Sequence, residues 1–226
     1  EKPDRRCTFS ILHTPVCEDM IAAMKDSPSA EDLDAPATTA ARRDTIARKR
    51  ILRTFYDLAY AWFTSRSKSL AGGKRVELGS GAGHFKEAMP DVITSDIMPL
   101  PFVDMVVDAT ALPFADMSLS AIYMIDTLHH IPDVSRFFAE AERTLAPGGR
   151  IIMQEPANSP FGRFIYRNFH HEAFEPSASS WSFPSSGPLS SANGALPWIV
   201  FERDRDTFSR RHPTLHVVEL EYCHPL

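Results

Sequence analysis

The stretch Val76-Glu77-Leu78-Gly79-Ser80-Gly81-Ala82-Gly83-His84-Phe85 constrains this chain most. A short apolar run leads into three glycines at alternate positions, and a helical pattern follows. Glycine is needed where the chain turns tightly and where a ligand lies against bare backbone. A helix start directly behind such a turn offers unpaired N–H groups to an anionic ligand group. A strand, a glycine turn and a helix in that order predict an α/β fold with a ligand at the turn.

The surrounding sequence repeats the alternation. Lys74–Leu78, Val92–Ser95, Asp104–Asp108, Ala121–Ile125 and Arg150–Gln154 are predicted as buried strands, because their apolar runs are nearly continuous. A helix is predicted over Val134 to Leu145, with Asp133 as N-cap and Pro147-Gly148-Gly149 as its stop. These elements imply a doubly wound, mostly parallel Rossmann-like sheet. One long helix is predicted over 41–69, with Ile51, Phe55, Leu58, Trp62 and the flanking Leu52, Ala59 and Phe63 on one face. Thr8–Leu12 reads as a short extended piece, Val16 to Lys25 as a short helix, and Asp26 to Ala40 as a linker. Further helices are expected at Phe161 to Phe174 and Asp204 to Arg211, and a last strand at Leu215 to Cys223. Between them, Pro176 to Pro197 holds four prolines, eight serines and two glycines, and is predicted to be a long loop. The organisation expected is therefore an N-terminal helical extension (1–70), a binding core (71–156) and a segment (157–226) that adds an insertion and the last helix and strand.

Composition narrows the function. The 226 residues carry a net charge of -5, which disfavours a general nucleic-acid binder. Cys7, Cys17 and Cys223 are too few and too scattered for a disulfide framework or a zinc site, and no metal is expected. A cytoplasmic setting is the default expectation, with no membrane span. The basic run Arg42, Arg43, Arg48, Lys49, Arg50 and Arg53 reads as a solvated helix face, or as a peripheral contact for anionic headgroups. Glu1 opens the chain, so it is expected to be a piece of a longer protein.

Two ligand classes compete for the glycine turn. Dinucleotide sites favour G-x-G-x-x-G, but His84 stands at the sixth position here. Glu77 puts a carboxylate beneath the loop, which opposes a pyrophosphate and suits an ammonium group. The acid-x-G-x-G-x-G pattern resembles the first motif of the class I S-adenosylmethionine-dependent methyltransferases. Asp96 in the second strand, Asp108 after Val106-Val107, Ala111-Leu112-Pro113-Phe114, the Ile125 to Asp133 loop and Leu145-Ala146-Pro147-Gly148-Gly149-Arg150 extend the resemblance to the methyltransferase type 11 subgroup over roughly 72–156.

The resemblance implies S-adenosylmethionine as cofactor, bound by Glu77, Gly79, Ser80, Gly81, Gly83, Asp96, Ile97, Asp108, Ala109 and Asp126. Asp96 would take the ribose hydroxyls and Asp108 the adenine amino group. It implies a small-molecule acceptor, with sugar or polysaccharide-related acceptors in view. His129 and His130 are the catalytic candidates, and Glu155, His170 and His171 are further candidates for a base. Arg163, Tyr166, Arg167, Trp181, Phe183 and Trp198 are candidates for the acceptor pocket. The family sheet has seven strands, the last antiparallel and beside the sixth. This chain is expected to lack that strand and to expose an edge available for oligomerisation. An NAD(P)-linked oxidoreductase and a catalytically silent scaffold are the alternatives.

Overall fold

The computed structural model describes residues 6–14, 33–70, 72–170 and 172–222. Cys17, Cys223, His171 and the helix expected over Val16 to Lys25 lie outside the described residues. Seven strands form one sheet: β1 (Cys7–Thr14), β2 (Lys74–Glu77), β3 (Ile93–Asp96), β4 (Met105–Val106), β5 (Leu119–Ile125), β6 (Leu145–Pro156) and β7 (Leu215–Tyr222). Their order is β4-β3-β2-β5-β6-β1-β7, and every pairing is parallel. All seven residues of β5 are buried, as a central parallel strand covered on both faces requires.

No antiparallel strand is present among the described residues of the sheet, but the place of the family's last strand is not empty. The position between β6 and β7 is filled by β1, from the opposite end of the chain, and β1 runs parallel to both neighbours. The piece expected to be merely extended is thus an interior strand, and residues 1–70 are more than a helical extension. Phe9 and Ile11 drive the placement. Both are fully buried, and the Phe9 ring packs 5.9, 5.4 and 5.6 Å from those of Phe138, Phe201 and Phe208.

The helices are α1 (Pro36–Arg48), α2 (Arg50–Ser67), the single turn α3 (Phe85–Ala88), α4 (Val134–Thr144), α5 (Pro160–Phe169) and α6 (Arg205–Arg211). The helix expected over 41–69 is broken at Lys49, whose backbone is extended. Its buried face matches the expected one only at Ala59 and Phe63. Ile51 and Leu58 are 55% and 66% exposed, whereas Ala59, Tyr60, Phe63 and Ser67 face the sheet. There Tyr60 stacks on Phe85 and Phe63 on Tyr123. Asp133 caps α4 as expected, accepting from the N–H groups of Ser135 and Arg136. The glycine turn behind α4 does not precede β6 but is absorbed into it as a bulge, with Gly148 in the left-handed region. The second face of the sheet is covered by α4, by α6 and by a π-turn at Ile199–Arg203, where the Asp204 N–H reaches back to the Ile199 carbonyl.

Candidate functional site

Strand order reverses between β2 and β5, and ligands of such sheets bind outside the carboxyl ends at that point. The loops leaving these two strands meet there. Gly79, at φ +63°, lies so close to Thr127 that an added Cβ would come within 2.5 Å of its side chain. Gly81, at φ +46°, would carry a Cβ at ordinary contact distance, 3.8 Å from the Gly79 carbonyl oxygen and 4.0 Å from Asp96 Oδ2. Both are positions that disfavour L side chains. Gly83 serves packing instead: an added Cβ would strike the Tyr60 hydroxyl of α2, and its carbonyl accepts from Arg43.

A cavity of about 1030 Å³ opens over these loops. That volume is at the upper end of the range for small-molecule sites, roughly 300–1,000 Å³. Glu77, Gly79, Ser80, Gly81, Asp96, Ile97, Asp108, Ala109 and Asp126 line it, as do His129, His130 and His170. Gly83 does not.

The carboxylates are held differently. Glu77 is buried, which pushes its pKa up to about 8 even though the Ser80 hydroxyl donates to Oε2 at 2.6 Å. Asp96 is also raised by burial, against the N–H groups of Met98 and Gly81, which donate to its two oxygens at 2.9 and 2.8 Å. Asp108 is exposed and accepts from the Thr110 N–H and hydroxyl. Asp126 has a left-handed backbone, φ +48°, and is pushed up to about 7 by burial and by the neighbouring Glu155 charge.

His129 is clamped. Its Nδ1 lies 2.8 Å from Glu155 Oε2 and its Nε2 3.3 Å from Glu172 Oε2. Burial works against its charge, but the two carboxylates win and hold its pKa well above the ordinary value. Both ring nitrogens are engaged by carboxylates, so neither is turned toward a substrate in this arrangement. Glu155 is fully buried and is consumed in placing this loop, since its other oxygen accepts from the Thr127 and Leu128 N–H groups.

Of the residues expected at an acceptor pocket, only Tyr166 lines the cavity, its ring 4.5 Å from that of His170. Trp181 is buried in the main core, its indole N–H donating to Asp204, and Phe183 and Trp198 pack against that core. Arg163 and Arg167 are exposed on α5. The long loop reaches the cavity instead through Ser185, Gly187, Pro188 and Leu189. Asp34 ties it there by accepting from the N–H groups of Leu189 and Ser190 and from the Ser190 hydroxyl, at 2.7, 3.0 and 2.6 Å. Asp34→Ala should therefore speed proteolytic cutting within 185–191 while the global unfolding midpoint stays nearly constant. Limited proteolysis beside a denaturant melt checks this, and an unchanged cutting rate would refute the tether.

Residues that sequence reasoning missed are Asp34, Tyr56, Thr127 and Glu172. Glu172 carried one usable signal, its place directly behind His170 and His171. The basic run is divided. Arg42 lines the cavity, Arg43 lies over the Phe102 ring, and Arg53 pairs with Asp57 and Glu87, while Arg48, Lys49 and Arg50 are exposed. No helix among the described residues is long and apolar enough to cross a membrane.

Comparison with known proteins gives matches over this same region. Residues 76–153 match the family model described as "Methyltransferase domain". A demethylmenaquinone methyltransferase of Renibacterium salmoninarum is 31% identical over 101 residues, 43% of either chain. A 27-O-demethylrifamycin SV methyltransferase of Amycolatopsis mediterranei is 39% identical over 46 residues, 20% of this chain and 17% of the relative. Among solved structures, the YcgJ protein of Bacillus subtilis is 22% identical, with a TM-score of 0.40 over 49% of this chain and 57% of that one. The chain thus spans less than half the length of these curated relatives.

Proposed function

We propose, from the premise that residues 76–153 place this chain among the class I methyltransferases, that it transfers a methyl group from S-adenosylmethionine to a small-molecule acceptor. One observation carries the reading. Glu77, Asp96 and Asp108, at or just beyond the ends of three successive strands, line a single cavity together with Gly81. That donor set fits the cofactor: an acid for its ammonium group, a second for its ribose hydroxyls, a third for its adenine amino group. When bound, the cofactor supplies an electrophilic methyl group on a sulfonium. The chain's own part is alignment and the exclusion of water. The 185–191 segment, tied by Asp34, supports the second role.

Phe55, Tyr56, Tyr166 and His170 also line the cavity, which suits a flat, ring-bearing acceptor. Demethylmenaquinone, for which the Renibacterium relative is named, is the first acceptor to try.

Glu77 gives this reading a pH signature. With its pKa near 8, it is mostly protonated in the free protein at neutral pH. An ammonium group laid against it favours the carboxylate, so binding expels the proton. Cofactor affinity should therefore climb with pH, by up to about a decade per unit, and level off above pH 8. Stability runs the other way. The folded state keeps a proton that the unfolded chain, with a carboxyl pKa near 4.5, has lost, so stability declines as pH rises from about 4.5 to about 8. Calorimetry in two buffers of different ionisation enthalpy measures the expelled proton directly. Glu77→Gln should abolish it, and a binding reaction with no proton release at pH 7 would count against Glu77 as the ammonium partner.

A further inference from the structure

The tight turn Leu128–His130 presents two successive imidazoles to the same place, ring centroids 4.4 Å apart. Each ring has its Nδ1 against an oxygen that can only accept. For His129 this is Glu155 Oε2 at 2.8 Å, and for His130 the Ser191 carbonyl at 3.2 Å. Those contacts put a proton on each Nδ1. Each Nε2 then faces Glu172: His129 Nε2 lies 3.3 Å from Oε2 and His130 Nε2 lies 3.4 Å from Oε1. His129 is buried and the other two side chains are nearly so. Two ring nitrogens converging on one carboxylate, with His170 Nδ1 a further 3.7 Å from Oε2, can share it through extra protons or through a cation.

The distances favour the cation. A charge-assisted N–H···O⁻ bond contracts to about 2.7–2.9 Å, and neither Nε2 contact does so. Two ligand atoms held about 2.1 Å from a tetrahedral ion stand roughly 3.4 Å apart, close to the distance of each Nε2 from its own Glu172 oxygen, while the full donor set spans up to 4.8 Å and closes slightly on an ion. The outer contacts agree as well. Histidine ligands commonly donate their other N–H to a carboxylate or a backbone carbonyl, which fixes tautomer and ring orientation.

We propose that His129, His130 and Glu172 form a site for a divalent transition metal of the zinc type, bound by both Nε2 atoms and Glu172. Their donor atoms lie within 4.8 Å of one another. Two imidazoles with one carboxylate suit such an ion better than magnesium or calcium, which prefer oxygen ligands throughout. All three residues line the large cavity, so a remaining coordination position is open to water or to an acceptor oxygen. The proposal rests on the methyl-transfer reading only for that last role. Glu155 is a positioning residue, acting through His129.

The test uses the untagged full chain, stripped with chelator and titrated at pH 8 with Zn²⁺ in a calorimeter and with Co²⁺ in a spectrophotometer. The expected result is one equivalent of each metal and the visible absorption of a four-coordinate Co²⁺ thiolate-free site. His130→Ala and Glu172→Gln should each weaken Zn²⁺ binding at least tenfold, and Glu155→Gln should weaken it by about tenfold or more. Circular dichroism checks that the variants are folded, and His130→Asn serves if the alanine variant is not. A folded wild-type chain that takes up no Zn²⁺ or Co²⁺, or uptake that His130→Ala and His130→Asn leave unchanged, would overturn the site. S-adenosylmethionine titrated in parallel separates the two readings. Metal uptake without cofactor binding keeps the site and removes methyl transfer, and the reverse does the opposite.

Discussion

Asp96→Ala should lower S-adenosylmethionine affinity at least tenfold and leave the protein folded. The carboxylate already accepts one backbone N–H on each oxygen, from Met98 and from Gly81. Each oxygen keeps a further acceptor site for a ribose hydroxyl. A hydrogen bond to a charged acceptor contributes about 1.5–3 kcal/mol, and about 1.4 kcal/mol is one decade of affinity. Losing both bonds could exceed two decades. The lower bound is set at one because the freed Gly81 N–H can donate to the ligand or to water. Asp96→Asn should lie between, since it keeps one acceptor oxygen. Calorimetry measures all three proteins, and less than a twofold loss for the alanine variant would remove Asp96 from the binding set.

Phe9→Ala should destabilise the fold by about 3–5 kcal/mol, the usual cost of emptying a buried phenylalanine site. That is a large part of the total stability of an ordinary domain, about 5–15 kcal/mol. The ring is fully buried among Phe138, Phe201 and Phe208, and these belong to the helices and the π-turn that cover one face of the sheet. The substitution therefore loosens β1, α4 and α6 together. Urea unfolding measures the change. A loss below 1 kcal/mol would mean that β1 does not occupy the position between β6 and β7.

These two residues also mark how far the sequence could be read. Asp96 was legible because its surroundings are local: a glycine turn, a strand of buried residues and an acid at its end. The same holds for Glu77, Asp108 and the Asp133 cap. Phe9 was not. In Cys7–Thr14 only Phe9, Ile11 and Leu12 form an apolar set, broken by Ser10 and followed by His13, which marks an extended piece and no more, while the strand is interior and buries Ser10 and His13 as well. What places it is pairing with β6 and β7, both more than 130 residues away, and no local pattern carries that information.

The errors around the cavity have the same origin. The apolar stripe of Ile51 and Leu58 satisfied helical spacing, yet the aromatic set Tyr60, Phe63, Phe85 and Tyr123 decided which face of α2 turned inward. His129 is a candidate base by residue type alone, since an unperturbed histidine titrates near neutrality, and the sequence does not show what surrounds it. The two glutamates that hold its ring come from the end of β6 and from the segment behind α5, out of reach of any spacing rule. Trp181 and Trp198 looked costly to leave in water, and the fold meets that cost in the core rather than at an acceptor.

The central claim is that this cavity holds S-adenosylmethionine and not a nicotinamide dinucleotide. Calorimetric titration of the unaltered chain with S-adenosylmethionine, and separately with NADH and NADPH, tests it most directly. The account predicts one equivalent of S-adenosylmethionine bound with proton release at pH 7, and no saturable heat from either dinucleotide. A folded chain that binds NADH or NADPH and leaves S-adenosylmethionine in solution would contradict it.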